Sequence, residues 1–144
     1  MIRAAGTNDI IDIRALMNSV VRFWDKTWRP DVLERALGSR DTIALVHQDG
    51  QAIDGFACAH DIGFRAYLSE LIVAPQAQRR GIGSRLLEEI ERRVEERSCS
   101  LIFGDVWQDS EAFYRAHGWT PPSVVLLRKR LSRGAARCSE PVSG

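Results

Sequence analysis

The sequence predicts an α/β domain built on a mixed, twisted sheet with helices on both faces. Three observations predict it. Residues 42–60 read as two strands joined at Asp49-Gly50, a strong hairpin turn. Residues 67–97 read as a strand, a glycine-rich turn and a strongly amphipathic helix. Residues 9–21 repeat apolar side chains at helical spacing. Hairpin-linked strands and crossover helices in one chain make a mixed sheet the natural solution.

The elements follow in order. Residues 2–5 form a short first strand, broken by Gly6, and Thr7 or Asn8 can cap the next helix. In that helix Ile10, Ile13, Leu16, Met17, Val20 and Val21 share a face, and Asp9 and Asp12 suit the positive end of its dipole. Residues 23–29 are aromatic and charged without a clean period. Pro30 opens a second helix over 31–37, which Gly38 ends. Strands are expected over 42–48, 52–60 and 67–74, with a loop over 61–65. After Gly83 a helix places Leu86, Leu87, Ile90 and Val94 on one face, with Glu88–Arg92 and Glu89–Arg93 as i,i+4 pairs. Residues 101–107 read as a strand. A short helix over 110–117, burying Ala112, Phe113 and Ala116, is ended by Gly118. A last strand is expected over 124–130. Residues 1–131 thus make one domain. The polar stretch 132–144 is expected to pack poorly or to dock on a neighbour, which leaves a homodimer open.

Composition narrows the functional classes. Twenty basic residues against 19 acidic ones give a net charge of +1, which argues for neither nucleic acid nor an acidic membrane as partner. No apolar run approaches a membrane span, and the first ten residues carry no leader pattern, so a cytoplasmic protein is expected. Cys58, Cys99 and Cys138 are widely spaced, with no Cys-x-x-Cys, and read as ordinary reduced thiols. The three histidines show no metal-ligand spacing, and no metal is expected.

The most informative stretch begins at Ser69. An apolar strand, Leu71-Ile72-Val73, stops at Pro75. Gln78-Arg79-Arg80-Gly81-Ile82-Gly83-Ser84 then opens a helix. Gly81 and Gly83 allow close approach of a ligand to the backbone. Consecutive N–H groups from Arg79 to Ser84 stand at the positive end of the helix, with two arginines beside them. That arrangement suits a phosphate. A P-loop would need a lysine that is missing, and a dinucleotide fingerprint would need a glycine where Leu86 stands. Plain turn chemistry also accommodates a lone Gly-x-Gly.

The wider constellation goes further. Val73-x-Pro75, then Gln78-x-x-Gly81-x-Gly83, a leucine-bearing helix, a strand, and Ala112-Phe113-Tyr114-x-x-x-Gly118-Trp119 together resemble the GNAT superfamily of acetyl-CoA-dependent N-acetyltransferases. The match is strongest over residues 68–119. The resemblance implies a mostly antiparallel sheet of six to seven strands, splayed between the fourth and fifth. It implies acetyl-CoA as cosubstrate, with Gln78, Arg79, Arg80, Gly81, Ile82, Gly83 and Ser84 holding the pyrophosphate. Leu71, Ile72 and Val73 would offer backbone groups to the pantetheine arm, and an N–H near Leu71 or Ile72 would face the thioester carbonyl.

Amide formation from a thioester needs a neutral amine, a stabilised oxyanion and a proton for the departing thiolate. A backbone N–H suits the second demand. A phenol, with pKa about 10, suits the third, and Tyr114 matches the family's general acid. Glu70 stands where some family members carry a glutamate base, acting directly or through water. His60 and His117 are further candidates. The family's asparagine after the fifth strand is absent. Trp107-Gln108-Asp109-Ser110 stands there; Gln108 or Ser110 can substitute, and Trp107 can wall the acceptor pocket. Trp24 and Trp28 could form an aromatic wall for an amine, with Asp25 or Asp61 attracting its charge. A small-molecule amine, an aminoglycoside and a protein amine all remain open as acceptors. The alternative reading is a non-catalytic acyl-CoA-binding sensor or interaction domain with the same fold.

Overall fold

The computed structural model describes residues 1–131; the tail expected over 132–144 lies outside the described residues. Chain contacts define one compact unit over Met1–Ser110 and a second that begins at Glu111.

The first unit holds the sheet. Its elements are β1 (Ile2–Ala4), α1 (Ile10–Ser19), α2 (Val32–Leu37), β2 (Thr42–Asp49), β3 (Ala52–Asp61), β4 (Ala66–Val73), α3 (Ile82–Glu96) and β5 (Ile102–Phe103). The strands lie in the order β1-β2-β3-β4-β5. Pairing is antiparallel from β1 to β4, and β4 pairs with β5 in parallel.

Neighbouring residues of β3 serve opposite faces, as strand geometry requires. A Cβ on Gly55 would stand 2.9 Å from Leu86 and 3.1 Å from Ile82, so α3 packs directly on this backbone. Phe56 and Cys58, on the other face, line a cavity with Met17 of α1 and Leu33 of α2. Leu86, Leu87, Ile90 and Val94 are all buried, as their spacing predicts.

Several expectations need correction. The sheet has five strands, not six to seven. Residues 124–130 form no strand: Val124, Val125, Leu126 and Leu127 are 61–85% exposed. β-branched residues favour strands only where a ladder is available, and this run has none among the described residues. β5 is confined to Ile102–Phe103. α1 ends at Ser19, and Val21 is 81% exposed beside Arg22, whose φ is 68°. Neither Thr7 nor Asn8 caps the first helix. Asp9 accepts from the Gly6 N–H at 2.8 Å, and the Arg3 guanidinium grips both its oxygens at 2.9 and 2.8 Å. That hydrogen-bonded cation holds the Asp9 carboxyl below its usual range. On α3, Arg92 pairs with Glu89 and Glu96 rather than Glu88, while the Glu89–Arg93 pair forms at 2.9 Å.

In the second unit, α4 (Glu111–Ala116) is ended by Gly118, whose φ of 87° needs no Cβ. Ala112 and Ala116 are exposed and Phe113 is half-buried, contrary to expectation; Tyr114 is the buried residue of the helix. A six-residue helix has room for one inward stripe, and the largest ring takes it. Among the described residues no helix is long and apolar enough to cross a membrane.

Candidate active site

The strand–turn–helix unit supplies two features. The first is the turn into α3. Gly81 is the N-cap residue in left-handed conformation, φ 78°, and Arg79 is also left-handed, φ 65°. Both glycine and the αL geometry let successive N–H groups converge. Nothing lies within 4 Å of where a Gly81 Cβ would stand, so the space before the helix is open. The first N–H groups of α3, from Ile82 to Ser84, precede the first bond of the helical ladder, Arg85 N–H to the Gly81 carbonyl at 3.1 Å. Gln78 is exposed, its side-chain amide donating to the Val73 carbonyl at 3.1 Å. Arg79 and Arg80 are exposed, and Arg80 stands 3.8 Å from Asp49 of the β2–β3 hairpin. The residues therefore fit a pyrophosphate: donors, cations and an unfilled approach.

The second feature is β4 itself. Its parallel ladder with β5 consists of Ala66–Ile102 and Tyr67–Phe103. From Leu68 to Val73 that edge has no β5 partner. Alternate residues of a strand direct N–H and C=O to each side, so along Leu71, Ile72 and Val73 this edge carries backbone groups that no β5 residue meets. On the other side β4 pairs with β3 in a shifted register: Cys58 opposes Glu70 and Ala59 opposes Leu68. Ser69 is the extra residue, a β-bulge. The bulge explains why Ser69 and Glu70, consecutive in the strand, both line one cavity.

That cavity, about 380 Å³, lies between β3–β4 and the α1–α2 region. Burial pushes the Glu70 carboxyl up to about 7. Beside it runs a polar chain that sequence reasoning largely missed. His60 Nδ1 is 3.2 Å from Thr42 Oγ1, and His60 Nε2 is 2.9 Å from Ser69 Oγ. Ser69 also donates to the Cys58 carbonyl at 3.2 Å. Burial lowers the His60 pKa, which keeps the ring neutral, one nitrogen donating and the other accepting. Burial also pushes the Cys58 thiol up to about 12. Cys58 and His60 are two apart on a strand, so their shared face was readable; the bulge that turns Ser69 toward them was not.

The remaining candidates are placed as follows. Tyr114 is 9% exposed, with its ring 5.1 Å from Phe113 and 5.3 Å from Trp119, while the Trp119 N–H donates to the Tyr114 carbonyl at 3.1 Å. The His117 ring lies 4.8 Å from Phe113. Trp28 lines the Glu70 cavity, and Trp24 meets it edge to face at 5.3 Å without lining the cavity itself. Asp25 accepts from Thr27 N–H and hydroxyl at 2.8 and 2.6 Å. Asp61 accepts from Gly63 N–H at 2.9 Å and lies 3.7 Å from Arg97. Trp107 is 45% exposed, 5.9 Å from Phe23 and beneath the Arg22 guanidinium at 5.4 Å. Neither Asp61 nor Trp107 lines the cavity. Among the described residues no group of three or more His, Cys, Asp or Glu could hold a metal ion.

Comparison with known proteins gives the family and the fold. The acetyltransferase (GNAT) family matches residues 11–119, and the chain belongs to that family. A transcriptional regulator from Bacillus halodurans C-125 superposes with TM-score 0.77 at 20% identity, covering 91% of this chain and 99% of the other. An aminoglycoside 6'-N-acetyltransferase from Acinetobacter haemolyticus gives TM-score 0.73 at 18% identity, covering 92% and 99%. A predicted acetyltransferase from Clostridium acetobutylicum, solved with acetyl-CoA, gives TM-score 0.73 at 16% identity, covering 90% and 95%. At these identities the likeness is one of fold. No curated protein sequence matches the chain.

Proposed function

We propose that the chain is an N-acetyltransferase, carried by residues 1–131 as one domain, that moves an acetyl group from acetyl-CoA to a primary amine. The observation that carries this reading is the β4 edge. It loses its β5 partner after Tyr67 and runs directly into the glycine-capped N-terminus of α3. Leu71, Ile72 and Val73 would bind the pantetheine arm through that edge, and Gln78 to Ser84 would hold the pyrophosphate. An N–H at Leu71 or Ile72 would meet the oxyanion. The presence of acetyl-CoA in the Clostridium structure supports the choice of donor.

In the transfer, Glu70 takes a proton from the acceptor ammonium, directly or through one water. The free amine forms the new C–N bond, the thioester C–S bond breaks, Tyr114 gives its proton to the thiolate, and the second proton lost by the nitrogen restores the phenol. A carboxyl held at about 7 is matched to this work near neutral pH. The transfer is direct rather than through an acetyl-cysteine. Cys58, the thiol of this cavity, stays protonated with its pKa near 12 and is no nucleophile. The free thiols Cys58 and Cys99 support a cytoplasmic location.

Thiol release from acetyl-CoA, followed over an amine library, tests the reading. Transfer to at least one amine, slowed by Tyr114→Phe with little change in coenzyme affinity, is expected. Acetyl-CoA binding without turnover of any amine would instead favour the non-catalytic acyl-CoA binder.

A further inference from the structure

Resting on the acetyltransferase reading, the lining of the Glu70 cavity bears on the acceptor. Glu70 is the single carboxylate among the lining residues, while Arg29 and Arg35 are the two arginines of the same lining. Arg35 has only a long pair with Asp31, at 3.9 Å. Arg29 is exposed and its side chain has no hydrogen-bond or ion-pair partner among the described residues. Beside the polar Thr42, His60 and Ser69, one stretch of the wall is apolar, with Met17 1%, Leu33 3% and Phe56 1% exposed.

We infer that this cavity takes a free α-amino acid with an apolar side chain as acceptor, its amine toward Glu70 and its carboxylate toward Arg29 and Arg35. An ammonium needs one carboxylate nearby, and Glu70 is that group. A carboxylate is the anion a guanidinium fork fits best, through two parallel N–H···O bonds. The apolar wall gives the side chain its place. A polycation of several sugar rings meets the opposite field. Its further ammonium groups would face arginines with no carboxylate in the lining to receive them, and like charges brought together count against a partner. The cavity, about 380 Å³, also stands near the lower end of the roughly 300–1,000 Å³ of small-molecule sites. The fold likeness to an aminoglycoside acetyltransferase thus does not carry that protein's acceptor to this one.

The experiment uses the full chain in three steps. Calorimetry first establishes acetyl-CoA binding; no binding would overturn the acetyltransferase reading itself. Thiol release is then compared for leucine and phenylalanine, for isoamylamine and phenylethylamine, which lack the carboxylate, and for neamine and kanamycin. The amino acids should exceed their decarboxylated partners in kcat/KM by about tenfold or more, the scale of a charge-assisted hydrogen bond. Neamine and kanamycin should stay at background. Thermal shift by leucine in the presence of coenzyme A gives a readout independent of turnover. Last, the double variant Arg29→Glu, Arg35→Glu, both at exposed positions, should collapse the preference toward unity, chiefly through KM of the amino acid. Preference for neamine, equal use of amine and amino acid, or acetyl-CoA binding with no amino acid accepted would each overturn the acceptor proposal while leaving donor binding standing.

Discussion

Glu70 shows what one residue's surroundings can do. Its carboxyl sits on a bulged strand, and burial lifts it from an ordinary 4.5 to about 7. That lift sets about 3 kcal/mol against the ionised form in the folded state. The sign of the consequence follows. Below about pH 4.5 the group is protonated whether folded or not, and nothing is lost. Between about pH 4.5 and 7 the unfolded chain releases a proton that the folded chain keeps, so stability falls across that window and stays low above it, where the folded protein carries a buried charge. Glu70→Gln should therefore raise Tm at pH 8.5 and leave it little changed at pH 4.5, as read by thermal unfolding at both pH values. An equal change at both would mean the carboxyl is not strained by burial. In turnover the same substitution should remove a rising limb of kcat/KM near pH 7, which a pH–rate profile measures directly. Glu70 was readable as a candidate from its place before Leu71. Its neighbours were not, because the hydrogen bonds of His60 to Thr42 and to Ser69 join residues 18 and 9 positions apart by way of a register shift no single-strand pattern encodes.

At the scale of elements, two close fits define the site's frame. α3 lies on β3 through Gly55, where any Cβ would meet Leu86 at 2.9 Å and His47 at 3.2 Å. Gly55→Ala should destabilise the protein by about 1–3 kcal/mol through overpacking, measured by urea unfolding; a neutral effect would mean the helix can shift freely. Next to it, His47 Nδ1 stands 2.5 Å from Asp54 Oδ1, with both residues buried. His47→Leu would leave the Asp54 carboxyl without that partner, at a cost on the order of 1–3 kcal/mol in the same measurement. Both features pin the β2–β3 hairpin whose tip reaches Arg80 beside the α3 N-terminus. Periodicity located these elements because packing on one face leaves a period in the sequence. α3 and the hairpin fall where their patterns put them, within a residue or two at most ends. It failed for residues 124–130, where a ladder partner decides the outcome rather than propensity, and for β5, where pairing is limited to two residues.

For the whole molecule, the family and the five-stranded sheet open beyond Tyr67 and Phe103 frame the donor side proposed above, which is built from backbone: the β4 edge and the α3 turn. This side was legible because glycine spacing before an amphipathic helix is a strong local pattern. The acceptor side was legible only in outline. The cavity proposed for it is lined by side chains from α1, α2, β3 and β4, whose meeting depends on the assembled sheet, and of the aromatic candidates only Trp28 lines it. The central claim concerns the donor, and Gly81 tests it most directly. Asp tolerates left-handed backbone, and nothing stands within 4 Å of the new Cβ, so Gly81→Asp should keep its fold while adding a negative charge before the helix. Calorimetry with acetyl-CoA should show saturable binding to the wild-type chain and none to a folded Gly81→Asp variant. Equal affinity in both, or no binding to the wild-type chain, would contradict the account.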